Sequence, residues 1–557
     1  MLQPIYLVAF SGHRPDDSPG RTDAALLAAA PLIEQALRDL KSQVEFNGGE
    51  LQFICSLAAG SDLIACRAAL RLGLALHVIL PMPEEEFFEK GFLEKDHHTA
   101  WKDPALRILA TVHQHPQVTV DSPPVLREIL PLTHVDETPL DLSHSRQHTF
   151  RILDSAGTTT ERYAFTNVKM LEAADALLLV TVPGGKNSSA GTTRLKLQAD
   201  KISLPHICID PLHGVTTHHH LDTLASPDAP SRKLMVQIGH HLSPGTSAAS
   251  DPFPALVRSL QRHANEKARK FRFATGSAIT LHAIAGFIAA FAAACYHYFQ
   301  EETAHPYAFL ALFAVVELIL VATAFTLEWL GHHRHERETW HLCRFARELL
   351  RGIEDSSPFL DPLFPEISRH RPEWDRFAVS AALLLRRVNG PLAPGDVVTA
   401  CETYVKKRII GQRDKFRSDA DKARLPALLF KKVAHGAALF ALPVVAFAAI
   451  AKLDHLLGWH LPLPFLGNEL GDAVLLLFLP ILLPLAASLG ISFIATFDFA
   501  RRAARYPEMV RALDQTSKLL PTLDTLPAIT DSVRHTEEIL LDELIDWHAS
   551  QLSSSGG

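Results

Sequence analysis

The segment Ile5-Tyr6-Leu7-Val8-Ala9-Phe10-Ser11-Gly12-His13-Arg14-Pro15 decides how the first part of the chain folds. A short apolar run, Ile5–Phe10, reads as a strand, and a polar, glycine-containing loop follows it. The same unit recurs downstream. Leu51–Ser56 reads as a strand, and Leu57-Ala58-Ala59-Gly60-Ser61-Asp62 opens a helix over Ser61–Leu72. Leu74–Leu80 reads as a strand that runs into Pro81-Met82-Pro83. Thr22–Val44, Tyr163–Ala173 and Thr192–Lys201 read as helices, and Ala176–Val182 and His206–Ile209 as strands. Strand–helix alternation predicts an α/β, Rossmann-like parallel sheet over residues 1–211, with helices on both faces.

Ligands of such sheets bind beyond the carboxyl ends of the strands. The informative loops fall there: Ser11, Gly12, His13 and Arg14 after the first strand, Ala59, Gly60, Ser61 and Asp62 after the second, Pro83 after the third. After Ala176–Val182 come Gly184, Gly185 and Lys186, then Gly191, Thr192 and Thr193 opening a helix. Glycine-rich loops let backbone amides approach a phosphate, and a helix N-terminus adds unpaired N–H groups and a favourable dipole. Arg14 and Lys186 offer charge-assisted contacts. Together these residues predict a site for a phosphate-containing ligand, with no catalytic residue assigned.

Composition narrows the rest. The chain has 557 residues, enough for several domains. Lys+Arg total 54 against 61 Asp+Glu, a formal charge of −7, so no nucleic-acid partner is expected. The six cysteines are scattered, which argues against a disulfide scaffold or zinc module and fits a reducing compartment. The 30 histidines include His218-His219-His220 and His240-His241. These lie in a Ser/Pro/Thr-rich stretch read as a linker, residues 212–257, where solvated histidines are expected and no metal site is assigned.

The apolar excess is concentrated in four runs, Phe273–Tyr298, Tyr307–Leu330, Val433–Ala451 and Val474–Phe497, each long enough to cross a bilayer. They predict an all-α membrane region of two hairpins, at 258–351 and 427–506. A cytosolic helical region is expected at 352–426 and a cytosolic helical tail at 507–557. Lys and Arg flank the outer ends of both hairpins, whereas the connecting loops Gln300–Pro306 and Asp454–Asp472 carry none. That asymmetry predicts a multi-pass inner-membrane protein with both termini cytosolic. Met1–Phe10 lacks a basic n-region, so no signal peptide is expected. The basic flanks read as anchors to anionic lipid. The tail Arg534–Leu552 places Ile539, Leu540, Leu544 and Trp547 on one face, suited to another subunit or the cytosolic core.

Within the spans, His282 lies in a small-residue stripe with Ala278, Gly286, Ala290 and Ala294, which favours close helix approach. Glu317 sits mid-span, where a carboxylate is costly unless it faces protein or water. Ser488, Ser492 and Thr496 follow Pro480 and Pro484 at steps of four. They either satisfy backbone groups locally or form a wetted stripe.

Five ordered motifs carry a family resemblance. They are Ser11-Gly12-His13-Arg14, Leu57–Asp62, Leu80–Pro83, Tyr163 with Asn167 and Asp175, and Gly184-Gly185 with Gly191-Thr192. This set resembles the SLOG superfamily, the Rossmann-like group that includes the DNA-processing Smf proteins, the Lonely-Guy phosphoribohydrolases and the cytosolic domain of melastatin-type channels. The resemblance covers about Ile5–Asp210, with an insertion around Asp103–Ser155. The two-hairpin layout looks like the SLATT effector modules found beside such domains. The resemblance implies a nucleotide-type ligand, a homo-oligomer in the bilayer, and a sensor driving pore formation in bacterial phage defence. The hydrolases of the group carry a Glu in a PGGxGTxxE loop. Here Arg194, Leu195 and Lys196 follow Thr192, which shifts the expectation from hydrolysis to binding. A membrane-tethered phosphoribohydrolase or nucleosidase and a transporter or channel component are the alternatives.

Overall fold

A computed structural model describes residues 3–94, 96–113, 148–153, 157–182, 191–226, 229–240, 252–299, 306–333, 336–363, 372–389, 396–457 and 472–553. Two units emerge: Met1–Val257 with Leu349–Ala393, and Arg258–Glu348 with Pro394–Gly557.

The first unit is built on a seven-stranded sheet of order β4-β3-β2-β1-β5-β6-β7. The strands are β1 (Ile5–Gly12), β2 (Glu50–Cys55), β3 (Leu76–Leu80), β4 (Thr149–Ile152), β5 (Ala176–Val180), β6 (His206–Asp210) and β7 (Val215–His219). All pairings are parallel except β6–β7. The sheet reverses its winding between β1 and β5, the switch point at which doubly wound folds open a crevice. The helices of this unit include α1 (Asp23–Ala28), α2 (Ala30–Phe46), α3 (Ser61–Arg71), α4 (Glu84–Phe88), α5 (Lys102–Val112), α6 (Thr159–Ala173), α7 (Thr192–Lys201) and α8 (Pro230–His240). The helix expected over Thr22–Val44 divides at Ala29, just ahead of Pro31, which suits the first turn of α2. A capping box, Thr158 with Glu161, starts α6.

Alternate residues of β1 feed two cores. Tyr6, Val8 and Phe10 join the core with Leu26, Ile33, Leu37 and Leu63. Ile5, Leu7 and Ala9 join Met170, Leu195, Leu363, Val379 and Leu383 on the other face. The last two come from a helix far along the chain, Pro372–Asn389. Ser380 Oγ accepts a hydrogen bond from Ile5 N at 2.9 Å, and Arg376 Nη1 donates to Ile5 O at 2.7 Å. Asp175 accepts from Leu7 N at 2.7 Å and pairs with Arg376, whose guanidinium also lies 4.7 Å from the Tyr6 ring centre.

Two expectations are therefore corrected. The stretch 352–426 is not one helical region, because its first part, through Ala393, completes the sheet unit. The stretch 212–257 is not simply a linker. Within it, Val215–His219 forms the antiparallel edge strand β7, and Pro230–His240 forms α8.

The second unit is helical: α9 (Pro252–Phe299, which begins in the first unit), α10 (Pro306–His333), α11 (Glu336–Ser356, which ends there), α13 (Val397–Tyr404), α14 (Gly411–Leu457), α15 (Leu479–Phe497), α16 (Phe499–Leu519) and α17 (Leu526–Ser553), with Pro372–Asn389 counted as α12. Three helical stretches among the described residues are long and apolar enough to cross a membrane: Phe253–Tyr296, Val397–Ala451 and Val474–Thr522. The expected second span, Tyr307–Leu330, falls in the 28-residue helix α10, whose apolar stretch among the described residues is the shorter Leu312–Leu327, so three of the four expected spans meet that length and composition among the described residues.

The small-residue expectation is visible in packing. A methyl group on Gly286 of α9 would lie 2.6 Å from Leu485 of α15, and one on Gly490 of α15 would lie 2.9 Å from Ala434 of α14. Much of the basic flanking is used inside the unit. Arg408 grips Glu537 through Nε at 2.9 Å and Nη2 at 2.7 Å, with Tyr404 donating to the same carboxylate. Lys415 pairs with Glu348, and Arg501 and Arg505 with Glu543. Trp547 of the tail is buried against Trp340 and His341 of α11, with the Arg344 guanidinium 3.9 Å from its ring centre.

Candidate functional site

The carboxyl end of β1 is where the first two glycine loops and the start of α7 meet. Ser11 and Gly12 are level with Leu179 and Val180 of β5. On the β5 side, Ser11 Oγ lies 3.1 Å from Thr192 Oγ1 at the start of α7. On the β2 side, Gly12 presses against the start of α3: a Cβ on it would fall 2.0 Å from Ser61 Oγ. Only glycine permits that approach. Gly60 carries φ +92° and a Cβ there would fall 2.7 Å from Pro15 Cδ, so glycine is required on both counts.

Burial sorts the expected ligands into two groups. Ser61 is fully buried and donates to His13 O at 2.7 Å. His13 is buried, and its Nε2 accepts from Val182 N at 3.0 Å, which ties the β1 loop to the end of β5. Burial, reinforced by the Arg21 cation, depresses the His13 pKa to about 4, so the ring is neutral at pH 7. Asp62 is buried, and its Oδ2 accepts from Ser56 Oγ at 2.9 Å and from Ala58 N at 3.2 Å. Burial pushes this carboxyl up to about 6 against those hydrogen bonds and the Arg14 charge. Ala59 is buried as well. These residues shape the loops from beneath.

The exposed or half-exposed group comprises Ser11, Gly12, Arg14, Gly191 and Thr193, with Pro83 exposed at the start of α4. The Arg14 guanidinium lies 4.3 Å from the ring centre of Tyr163, so the ring holds it by a cation–π contact. The Tyr163 hydroxyl is pushed upward in pKa by burial. Sequence reasoning placed Tyr163 in a motif without giving it this supporting role, and it missed Ser56. Spacing carries no signal for either contact. Gly184, Gly185 and Lys186 lie outside the described residues.

The two helix starts differ electrostatically. The first turn of α3 already contains a carboxylate, Asp62. The first turn of α7 contains no acidic residue, and among the described residues no side chain caps it. The α7 start therefore keeps its attraction for an anion, with Ser11 and Thr193 half-exposed beside it as hydroxyl donors, while Thr192 is buried against Ser11.

The chain matches no protein-family model, and no curated protein sequence is significantly similar to it.

The other candidates lie in the helical unit. His282 is exposed, and its Nδ1 is 2.9 Å from Ala278 O of its own helix. Ser492 Oγ donates to Ser488 O at 2.8 Å, the local satisfaction expected for such a residue. The Thr496 side chain lies outside the described residues. Glu317 is half-exposed on α10, where Leu312, Val315, Leu318 and Ile319 are each more than half exposed.

Proposed function

We propose that this chain is a membrane-embedded sensor. Its sheet unit binds a nucleotide or nucleotide-derived anion, and occupancy alters the packing of an apolar helical unit that permeabilises the bilayer. The observation that carries the reading is the uncapped start of α7 meeting the carboxyl end of β1 at Ser11, with Arg14 three residues further along the same strand exit. A phosphate seated there would receive backbone N–H groups, hydroxyls and a guanidinium from one crevice. The SLOG-like motif order supports a nucleotide over a bare phosphate, and the fusion to apolar helices supports an effector over a soluble binder. Lipid bilayer, nucleotide-type signal and a second copy of the chain are the partners in this reading; bacterial phage defence is its setting.

Coupling requires that the ligand bind two helical packings with different affinity. The test is calorimetry of the detergent-purified chain against a panel of mono-, di- and cyclic nucleotides and ADP-ribose, with chromatography of the same mixtures. Saturable binding without turnover supports the sensor. A second reading rests on Asp62, a buried carboxyl poised near pH 6 beside Arg14, which suits a general acid in cleavage of an N-glycosidic bond. Product formation that is lost in Asp62→Asn would establish that hydrolase. Absence of binding to every nucleotide would remove both.

A further inference from the structure

We propose that His206, Cys208, His219 and Asp200 bind one divalent cation of the zinc type at the amino edge of the sheet. His206 opens β6 level with Leu177, at the opposite end of the strands from Ser11 and Gly12. It pairs directly with His219 across the antiparallel β6–β7 ladder, while Cys208 pairs with Thr217. Residues two apart on a strand share a face, so His206, Cys208 and His219 stand on one side of the ladder. His218, paired with Ile207, stands on the other. One ligand atom from each of the three residues lies within 4.8 Å of the other two.

His206 anchors the set, its side chain fully buried. Its Nδ1 lies 2.9 Å from Leu204 O, an acceptor, so Nδ1 carries the hydrogen. The buried Nε2 then presents a lone pair, and among the described residues it has no hydrogen-bond partner. Asp200 Oδ1 lies 3.3 Å from that nitrogen. Two acceptors facing each other at this distance require a positive species between them, either a proton or a metal ion. A proton would satisfy that pair alone. The convergence of a thiol and a second imidazole on the same point favours a borderline-soft metal. Fixing a metal-binding imidazole by a carbonyl at its other nitrogen is the usual outer-shell arrangement. Two neutral imidazoles, a thiolate and a carboxylate balance a charge of +2, and Lys196, which faces Cys208, is an adverse charge nearby. The two imidazole rings are stacked with centres 4.4 Å apart. Closing the set to a tetrahedral shell takes a rotation of His219, which sits half-buried on the open edge strand. The cation would staple β7 to β6.

Cobalt(II) added to the detergent-purified full-length chain is the probe. The expected result is a thiolate-to-cobalt charge-transfer band that titrates to about one equivalent and is displaced by zinc. The band should vanish in Cys208→Ser. It should weaken at least tenfold in affinity in His219→Asn, a half-exposed edge position chosen so that a folding failure at Cys208 does not decide the matter. His218→Asn, on the opposite face, should keep the band. Absence of the band in the wild type, or its survival unchanged in His219→Asn, overturns the site and leaves a proton shared by His206 and Asp200.

Discussion

Arg14 is the residue whose contribution to the proposed ligand is easiest to isolate, because it is half-exposed and held by Tyr163 rather than by the core. Arg14→Ala should leave the melting temperature nearly unchanged and weaken nucleotide binding by about 1.5–3 kcal/mol, the usual range for a hydrogen bond to a charged group. Titration calorimetry of both proteins reads it, and equal affinities would move the site away from this loop. His13 acts differently. Its Nε2 accepts from Val182 N, so the ring must be neutral to hold the loop. Its folded pKa of about 4 lies below the ordinary value of 6.5, so the unfolded chain binds the proton more readily. The stabilisation is complete above pH 6.5 and is lost as pH falls toward 4. His77, buried and depressed to about 3, acts in the same direction. Asp62, raised to about 6, acts oppositely as pH rises from 3.8 to 6. Melting scans between pH 4 and 7 should show stability rising with pH, most cleanly above 6. His13→Gln, whose amide oxygen can accept from Val182 N, should show a shallower rise. Identical slopes would show that His13 does not carry the dependence.

At the scale of elements, the docking of α12 on β1 makes a prediction that reverses an inference from chain order alone. Alternation of strands and helices ends near Asp210, which suggests a self-sufficient domain there. Yet the Ile5, Leu7 and Ala9 face of the sheet is covered by Val379 and Leu383, and the backbone of Ile5 is satisfied by Arg376 and Ser380. Met1–Asp210 expressed alone should therefore aggregate or melt without cooperativity, and appending Leu349–Ala393 should restore a cooperative transition. Within the full chain, Arg376→Leu leaves Asp175 without its partner and should cost about 3–5 kcal/mol, with Asp175→Asn in the same chain recovering part of it. No recovery would mean that the packing of Arg376 on Tyr6 dominates. The limits of sequence reading are physical here. The central strands β1, β2, β3, β5 and β6 were legible because strands between two neighbours are buried on both faces and read as apolar runs. β4 and β7 are the two edges of the sheet and pair on one side only. Their residues, Thr149–Ile152 and Val215–His219, are mixed or polar, so no apolar run marks them. The link between Ile5 and Ser380 spans 375 residues and has no local signature at all. At the candidate site, the glycine-containing stretches after β1 and β2 fall at strand ends as their spacing suggests, but which loop residues point inward depends on Gly60's positive φ and the depth of α3, neither of which spacing encodes.

For the molecule as a whole, the second unit must present an apolar surface to lipid or to further copies of itself, and α10 is one of the helices that expose it. Phe325 and Trp329 continue the exposed row begun by Leu312 and Val315. Glu317 lies half-exposed on the same helix, off that row. A mid-helix carboxylate facing hydrocarbon alone costs several kcal/mol, so in the bilayer it should face water or a neighbouring copy. If copies assemble with α10 lining a conduction path, the ionised carboxylate attracts cations to it. Glu317→Gln keeps the shape and the hydrogen-bonding capacity and removes that charge, so cation efflux from loaded liposomes should fall several-fold while nucleotide affinity in the sheet unit stays the same. Glu317→Leu removes the polar group altogether and should abolish efflux while making the reconstituted protein more heat-resistant. The comparison needs equal reconstitution of the three proteins, the nucleotide found to bind in calorimetry as the trigger, and both a cation-sensitive and a neutral dye. Loss of cation efflux with unchanged neutral-dye release would assign Glu317 to selectivity; loss of both would assign it to assembly of the path. Equal efflux from all three would remove Glu317 from the mechanism. The polar stripe of α15 at Ser488 and Ser492, both exposed, would then be the better candidate for the lining.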